Sequence, residues 1–529
     1  MSTVTLLDYG AGNVRSVRNA IAALGFEVRD VASPDDILTA EKLIFPGVGA
    51  FGSAIGRLQA DGYFEPLRRR LLENRPFFGI CIGLQVLFEG SEESLGATGL
   101  GVIRGQVRRF PAGALAVPHM GWNGVNIRQR SALFAGYGGE KLYFVHSYRG
   151  VPDERDRDWV LATTNYGGEF VSAVQKGNVA AVQFHPEKSG AAGLAILRGY
   201  LTANTLAAGP EPPAVAGETR LARRIIACLD VRTNDAGDLV VTKGDQYDVR
   251  HEGEVRNLGK PVDLARRYYE EGADEITFLN ITSFREQPMA DQPMLEVLRR
   301  TSENVFVPLT IGGGIRGYTD PSGRRWSALE VASEYFRSGA DKISIGSDAV
   351  HAAEEFLRSG RAKGDSAIEQ IARAYGNQAV VISVDPRRVW VATPDGVPHA
   401  VFPTEKPGPN GERFCWFQCT VKGGREGRPV DAVTLAAVCE KLGAGEILLN
   451  SIDRDGTKSG FDLELIRAVK AAVSIPVIAS SGAGSPEHFA EVFEKTTVEA
   501  ALAAGIFHRR EVPIAAVKEH LRARGIETR

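Results

Sequence analysis

PLTIGGGIRG (Pro308 to Gly317) and PVIASSGAGS (Pro476 to Ser485) share one plan: a proline, a short apolar run, and a turn of small residues. Two further pairs repeat in the same order. GADEITFLN (Gly272 to Asn280) matches GAGEILLN (Gly443 to Asn450), and IIACLD ending at Asp230 matches VVISVD ending at Asp385. Around these pairs, eight nearly continuous apolar runs alternate with helical stretches. They are RIIACLDV, EITFLNIT, VFVPLTIGGG, KISIGS, AVVISVD, EILLNSID, PVIASSGAG and AALAAGIF. Runs apolar throughout suit parallel strands buried on both faces, and eight of them is the count of a (β/α)₈ TIM barrel. Because runs one to three recur as runs five to seven, two half-barrels in tandem are expected over residues 220–529. The segment 205–219, TLAAGPEPPAVAGET, has no hydrophobic periodicity and reads as a linker. Residues 1–204 hold a second α/β domain, with apolar runs VTLLDY, KLIFPGVG, FFGICIG, LYFVHSY and VAAVQFHP.

A chain of 529 residues exceeds one core, and 43% hydrophobic with 24% charged residues is ordinary for a globular enzyme. With 62 Lys+Arg against 65 Asp+Glu, the net charge of −3 gives no electrostatic reason for a nucleic-acid or membrane partner. Five scattered cysteines suit a reducing compartment, and Cys415 with Cys419 lacks the second ligand pair of a zinc site. The N-terminal residues lack a leader composition, so a cytoplasmic location is expected.

In the first domain, Phe78-Gly-Ile-Cys81-Ile-Gly83-Leu-Gln85 is a strand that breaks at a glycine-flanked cysteine, as a nucleophile elbow does. Gln183-Phe-His185-Pro-Glu187 puts a base at a strand end with a carboxylate to orient it. Gly47-Val48-Gly49 offers backbone amides for an oxyanion hole. Together these resemble a class I (triad) glutamine amidotransferase over nearly all of residues 1–204, implying an open, mainly parallel, flavodoxin-like sheet. By that resemblance Cys81 is nucleophile, His185 base and Glu187 orienter. PHMGWN (Pro118 to Asn123) and YFVHSY (Tyr143 to Tyr148) are similar to the glutaminase of the imidazole glycerol phosphate synthase family. That similarity implies glutamine contacts at Gly49, Gln85, Ser147 and Tyr148.

In the barrel, chemistry belongs at the C-terminal strand ends. Asp230 and Asp385 end runs one and five and face each other across the mouth as an acid–base pair. The turns Gly312-Gly313-Gly314 and Ser481-Gly482-Ala483-Gly484, with Gly346-Ser347, Ser480 and Ala504-Gly505 at other strand ends, suit phosphate held by backbone amides. Their recurrence in both halves predicts a substrate with a phosphate at each end. RIIACLD, VTKG (Val241 to Gly244) and DRDGTKSG (Asp453 to Gly460) resemble the cyclase of the same synthase family. The resemblance implies phosphoribulosyl-formimino-aminoimidazole-carboxamide ribonucleotide as substrate. Imidazole glycerol phosphate and aminoimidazole carboxamide ribonucleotide would be the products. It also implies substrate contacts from Asp455 and from Lys243 in a closing loop, and no metal or organic cofactor. Asn280 stands where that family usually has aspartate. Residues 287–293, 318–326, 351–365 and 393–411 read as loop insertions.

Arg224, Glu275, Lys342 and Glu446 each immediately precede an apolar run and so share the bottom rim. Two cations and two anions there can pair, and they resemble the family's gate for ammonia entering from a docked glutaminase. Two other readings stay open: another ammonia-channelling pair such as a pyridoxal phosphate synthase, and a non-catalytic phosphosugar sensor.

Overall fold

A computed structural model describes every residue except 1–2, 11, 112, 114, 208, 212–217, 234–238, 243–249, 252–253, 256–257 and 282–291. In the first half, eight strands form one sheet. In spatial order they are Glu27–Asp30, Thr3–Leu6, Leu43–Phe45, Phe77–Ile80, Val179–Val182, Glu169–Lys176, Val160–Asn165 and Asn126–Ile127. The first five are mutually parallel, and the last three join antiparallel. Side-chain alternation explains how both faces are covered. Phe78 and Ile80 point into a core with the helices Val14–Ala23 and Gly190–Thr202. Phe77, of the opposite parity, packs with Phe51–Ala60 and Phe64–Leu72 on the other face.

The second half closes into a barrel of eight parallel strands. They are Arg224–Thr233, Glu275–Asn280, Leu309–Gly312, Lys342–Ile345, Val380–Val384, Glu446–Asn450, Val477–Ser480 and Ala500–Ala503, and the last pairs with the first. Alternation again divides the residues. Ile225, Ala227 and Leu229 pack outward with the helices, while Ile226 and Cys228 join Val381, Leu448, Ile478 and Leu502 in a separate interior core.

Three stretches read as loop insertions carry regular structure. Ser347–Ser359 is helical through most of 351–365, because Ala349, Val350 and Ala353 bury one face and Gly360 ends it in a left-handed cap. Tyr318–Thr319 and Arg325–Trp326 form a hairpin. Phe402–Pro403, from the 393–411 stretch, pairs with Phe414–Val421 in a small antiparallel sheet that also holds Pro386–Val391 and Glu426–Asp431. The ends of the 205–219 segment are packed: Leu206 is buried, and the Thr219 hydroxyl accepts the Asn165 amide at 2.7 Å.

The first half covers the N-terminal end of the barrel. Met120, Trp122, Tyr143 and Val145 enter the barrel's outer core. The Trp122 indole donates to the Asp274 carbonyl at 3.1 Å, and Arg529 lies 4.2 Å over its ring. Asp341 receives Asn13 Nδ2 at 2.9 Å and pairs with the buried Lys188 ammonium at 2.7 Å.

Candidate active sites

Cys81 sits between the strand Phe77–Ile80 and the short helix Ile82–Gln85 with φ +54 and ψ −100. A side chain in the left-handed region is strained, and the surroundings must impose it. Gly79 and Gly83 make that possible. A Cβ on Gly79 would lie 2.4 Å from the Gly83 carbonyl oxygen, and one on Gly83 would lie 2.4 Å from that of Phe45. The Cys81 amide donates to Val182 O at 2.8 Å, tying the elbow to the strand that leads to His185.

His185 Nδ1 is 2.8 Å from Glu187 Oε1, and both residues are buried. Burial opposes charge on His185. Glu187 and the neighbouring Cys81 outweigh it and hold the imidazole's pKa well above its ordinary value. Its Nε2 has no hydrogen-bond partner of good geometry, so the nitrogen that faces the thiol is unspent. Gln183 Nε2 approaches Cys81 Sγ at 3.5 Å. Gly47 packs against Ile82 and the Tyr9 hydroxyl, which donates to the Val48 carbonyl at 3.2 Å; Gly49 follows at φ +150. Gln85 Nε2 donates to Tyr148 O at 3.1 Å, and Ser147 is buried beside it.

At the opposite end of the barrel a cavity of about 250 Å³ opens among Asp230, Asp385, Leu448, Asn450, Gly482 and Gly505. Asp455, Ser480 and Ala504 also line it. Burial raises the pKa of the Asp385 carboxyl above its usual range, against hydrogen bonds from Asn450 Nδ2 (2.7 Å) and Ser383 Oγ (3.4 Å). Gly313, Gly314, Gly346 and Ser347 end the third and fourth strands and lie outside that cavity's lining. Gly484 does not line it either, and its amide is spent on His488 Nδ1 at 3.0 Å. Lys243 lies outside the described residues.

Between the two sites lies a ring of charge at the barrel floor. Arg224 donates to Glu275 Oε2 at 2.9 Å and to Glu446; Lys342 reaches Glu275 Oε1 at 2.7 Å and Glu446 Oε2 at 2.6 Å. The side chains are 0–1% exposed. Burial opposes the Glu446 charge, but Arg224 and Lys342 outweigh it and keep that carboxyl below its usual range. Met120 Sδ stands 3.7 Å from Lys342 Nζ on the glutaminase side.

The class-I glutamine amidotransferase family matches residues 5–201, and the family described as histidine biosynthesis protein matches 224–513. The chain is 61% identical over its full length to the chloroplastic imidazole glycerol phosphate synthase hisHF of Arabidopsis thaliana, covering 90% of that protein. It is 55% identical to the synthase hisHF of Schizosaccharomyces pombe, covering 98% of each chain. It is also 43% identical to the synthase subunit HisF of Thermobifida fusca, which spans 58% of this chain. The chain belongs to the fused imidazole glycerol phosphate synthase family. It joins a glutamine amidotransferase and a cyclase in one bifunctional enzyme of histidine biosynthesis.

Several residues of this synthase lie at its sites without a signal in the sequence. Lys458 and Arg509 line the mouth cavity, both paired to Glu511, whose pKa falls to about 2 through those hydrogen bonds. Gly423 and Gly424 line it from the fifth βα-loop. Glu93 lies close enough to Tyr9 and Tyr148 to raise both phenol pKa values, adding to burial, the larger cause. The Tyr143 hydroxyl is buried with no partner beside the charged ring. Lys458, inside DRDGTKSG, and Tyr143, inside YFVHSY, are the exceptions, since they sit in motifs that flag a ligand.

Proposed function

We propose that this synthase splits its reaction across the barrel, with glutamine hydrolysed at Cys81 and the ammonia consumed at Asp230 and Asp385. His185 takes the thiol proton while Cys81 Sγ attacks the side-chain amide carbon of glutamine. The oxyanion that forms is met by amides of the Gly47-Val48-Gly49 turn. The carbon–nitrogen bond breaks as His185 returns the proton to the departing nitrogen, releasing ammonia. Water, deprotonated by His185, then hydrolyses the thioester to glutamate and frees Cys81. Glu187 keeps the imidazole oriented and supports its charge. Gln85, Ser147 and Tyr148 position the glutamine, and the Glu93 carboxylate is suited to its α-ammonium.

The observation that carries the split is the buried ring of Arg224, Glu275, Lys342 and Glu446, set between the triad side and the mouth cavity. With both cations bridging both carboxylates, the floor is closed, and ammonia passes when one pair parts. Above it the interior core leads to the cavity, where Asp230 and Asp385 exchange protons with the ribulosyl end of the bis-phosphorylated nucleotide. Its cleavage and ring closure give imidazole glycerol phosphate and aminoimidazole carboxamide ribonucleotide. One phosphate is held at Ser480, Gly482, Ala504 and Gly505 with Lys458 and Arg509, and the other at Gly313, Gly314, Gly346 and Ser347. The five free cysteines support a reducing compartment such as the cytoplasm, which cell fractionation tests. No helix among the described residues is long and apolar enough to cross a membrane.

Purified enzyme given glutamine and the nucleotide should form glutamate and carboxamide ribonucleotide one to one. Cys81→Ala should lose both with glutamine and keep the ribonucleotide with ammonia. Glutamate without ribonucleotide in the parent enzyme would overturn the assignment of the acceptor.

A further inference from the structure

Ser147 and Tyr148 are held from opposite sides. Tyr148's carbonyl accepts from Gln85 Nε2 at 3.1 Å and lies 2.7 Å from His146 Nδ1, both inside the amidotransferase half. The Ser147 hydroxyl instead crosses to the barrel and donates to Asn377 Oδ1 at 3.1 Å. Ser147 is 5% exposed, so water does not offer an easy substitute.

Asn377 is firmly placed. It opens the single turn Asn377–Ala379 between the helix Ala367–Tyr375 and the fifth barrel strand, Val380–Val384. Its carbonyl oxygen lies 2.2 Å from where a Cβ on Gly445 would sit, so only glycine lets the next strand pack so closely. The Gly445 amide then donates to Val380 O at 3.0 Å, and the Gln378 side chain ties back to Tyr375 O at 3.3 Å. Gly445 precedes Glu446 of the charged ring, and the strand leaving Asn377 leads to Asp385. Barrel floor, ring and glutamine segment therefore meet at this turn.

We propose that Asn377 is a positioning residue for glutamine, a part of the amidotransferase site supplied by the cyclase domain. A serine hydroxyl has one proton and two lone pairs. With the proton committed to Asn377, Ser147 presents acceptors to the pocket, which suits the α-ammonium of glutamine. Without Asn377 the hydroxyl rotates freely and its proton competes for the same space. The proposal rests on the reading of Ser147 as a glutamine contact.

The test is steady-state kinetics on the full chain, with glutamine and, separately, with ammonia as nitrogen donor. Asn377→Ala should raise the KM for glutamine about fivefold, the worth of one neutral hydrogen bond, with kcat largely kept. The ammonia-driven rate should stay within about twofold, and Asn377→Asp, which keeps an acceptor, should restore the KM. In a Ser147→Ala background Asn377→Ala should add nothing. If Ser147→Ala leaves the KM unchanged, the glutamine-contact reading itself falls. A raised KM in Ser147→Ala with none in Asn377→Ala, or effects that multiply in the double variant, would overturn Asn377 alone. Should Asn377→Ala also slow the ammonia-driven reaction, the size-matched Asp and Leu variants decide, and equal KM values for both would refute the proposal.

Discussion

At the floor of the barrel Arg224, Lys342, Glu275 and Glu446 answer one another, each carboxylate touching both cations with Thr310 added to Glu275 at 2.7 Å. At the mouth, Asp385 is partly exposed to the cavity and, among the described residues, its carboxylate receives only neutral donors, Asn450 and Ser383. The two places are ends of one set of strands: Glu446–Asn450 begins with a ring carboxylate and ends with the amide that serves Asp385. A matched buried charge keeps its charge and supports the fold, and removing one partner leaves the rest exposed to desolvation. An unmatched buried acid holds its proton more tightly, which weakens the fold at neutral pH and suits proton transfer. Substitutions at the two ends should therefore trade activity and stability in opposite directions.

The largest effect is expected at the mouth. Asp385→Asn should slow nucleotide conversion by about 10²–10⁴-fold with either nitrogen donor, the usual worth of a positioned acid or base. Asn keeps the acceptor that Asn450 uses, so packing is retained. Because the folded carboxyl has a raised pKa, the folded state binds this proton more tightly than the unfolded one. Stability is thus lost as pH rises from the ordinary aspartate value through the folded one. The variant should then show a higher urea midpoint than the parent at pH 7, with the advantage vanishing toward pH values at which both states are protonated. A lower midpoint at pH 7 would contradict the contrast.

At the floor the signs reverse. Lys342→Met leaves two carboxylates sharing Arg224, at a cost of about 3–5 kcal/mol, read as a fall in the barrel's urea midpoint. The ammonia-driven reaction should survive, while glutamate should form in excess of carboxamide ribonucleotide because the floor no longer meters ammonia. Strict one-to-one coupling in a folded Lys342→Met enzyme would remove the ring from the path.

Much of this was legible in the sequence because it is local. Cys81 with Gly79 and Gly83, and His185 with Glu187, fall within single turns, so spacing alone implies their geometry. The ring residues are distant in sequence, yet each immediately precedes an apolar run, and parallel strands bring equivalent positions together. What escaped was set by packing between elements. Nothing near Asn377 signals Ser147, and nothing near Arg509 signals Lys458. The 351–365 stretch is helical as far as Ser359 because Ala353, with Ala349 and Val350 just before the stretch, finds a face to bury, a tertiary reason. The phosphate turns were legible as turns, but which amides stay free was not, since His488 claims that of Gly484.

The smallest expected effect concerns the rim of the mouth, where charge is matched as at the floor but left half in water. Arg509 and Lys458 share Glu511, with Arg509 Nε at 2.8 Å from one carboxylate oxygen and Lys458 Nζ at 2.8 Å from the other. Side chains there are 32–47% exposed, so the trio is screened and contributes little to folding. Its geometry still matters to the phosphate proposed at Gly505, because one carboxylate holds two cations beside the turn and leaves the group with a net positive charge. Arg509→Gln removes one charge-assisted contact of about 1.5 kcal/mol, or roughly tenfold in the KM for the nucleotide. Glutaminase activity without nucleotide and the urea midpoint should hold. Glu511→Gln frees both cations and should lower that KM, with a steeper dependence on ionic strength than the parent shows. If Arg509→Gln leaves the KM unchanged, or Glu511→Gln raises it, the rim cations are surface pairs, and the phosphate there is bound by backbone amides alone.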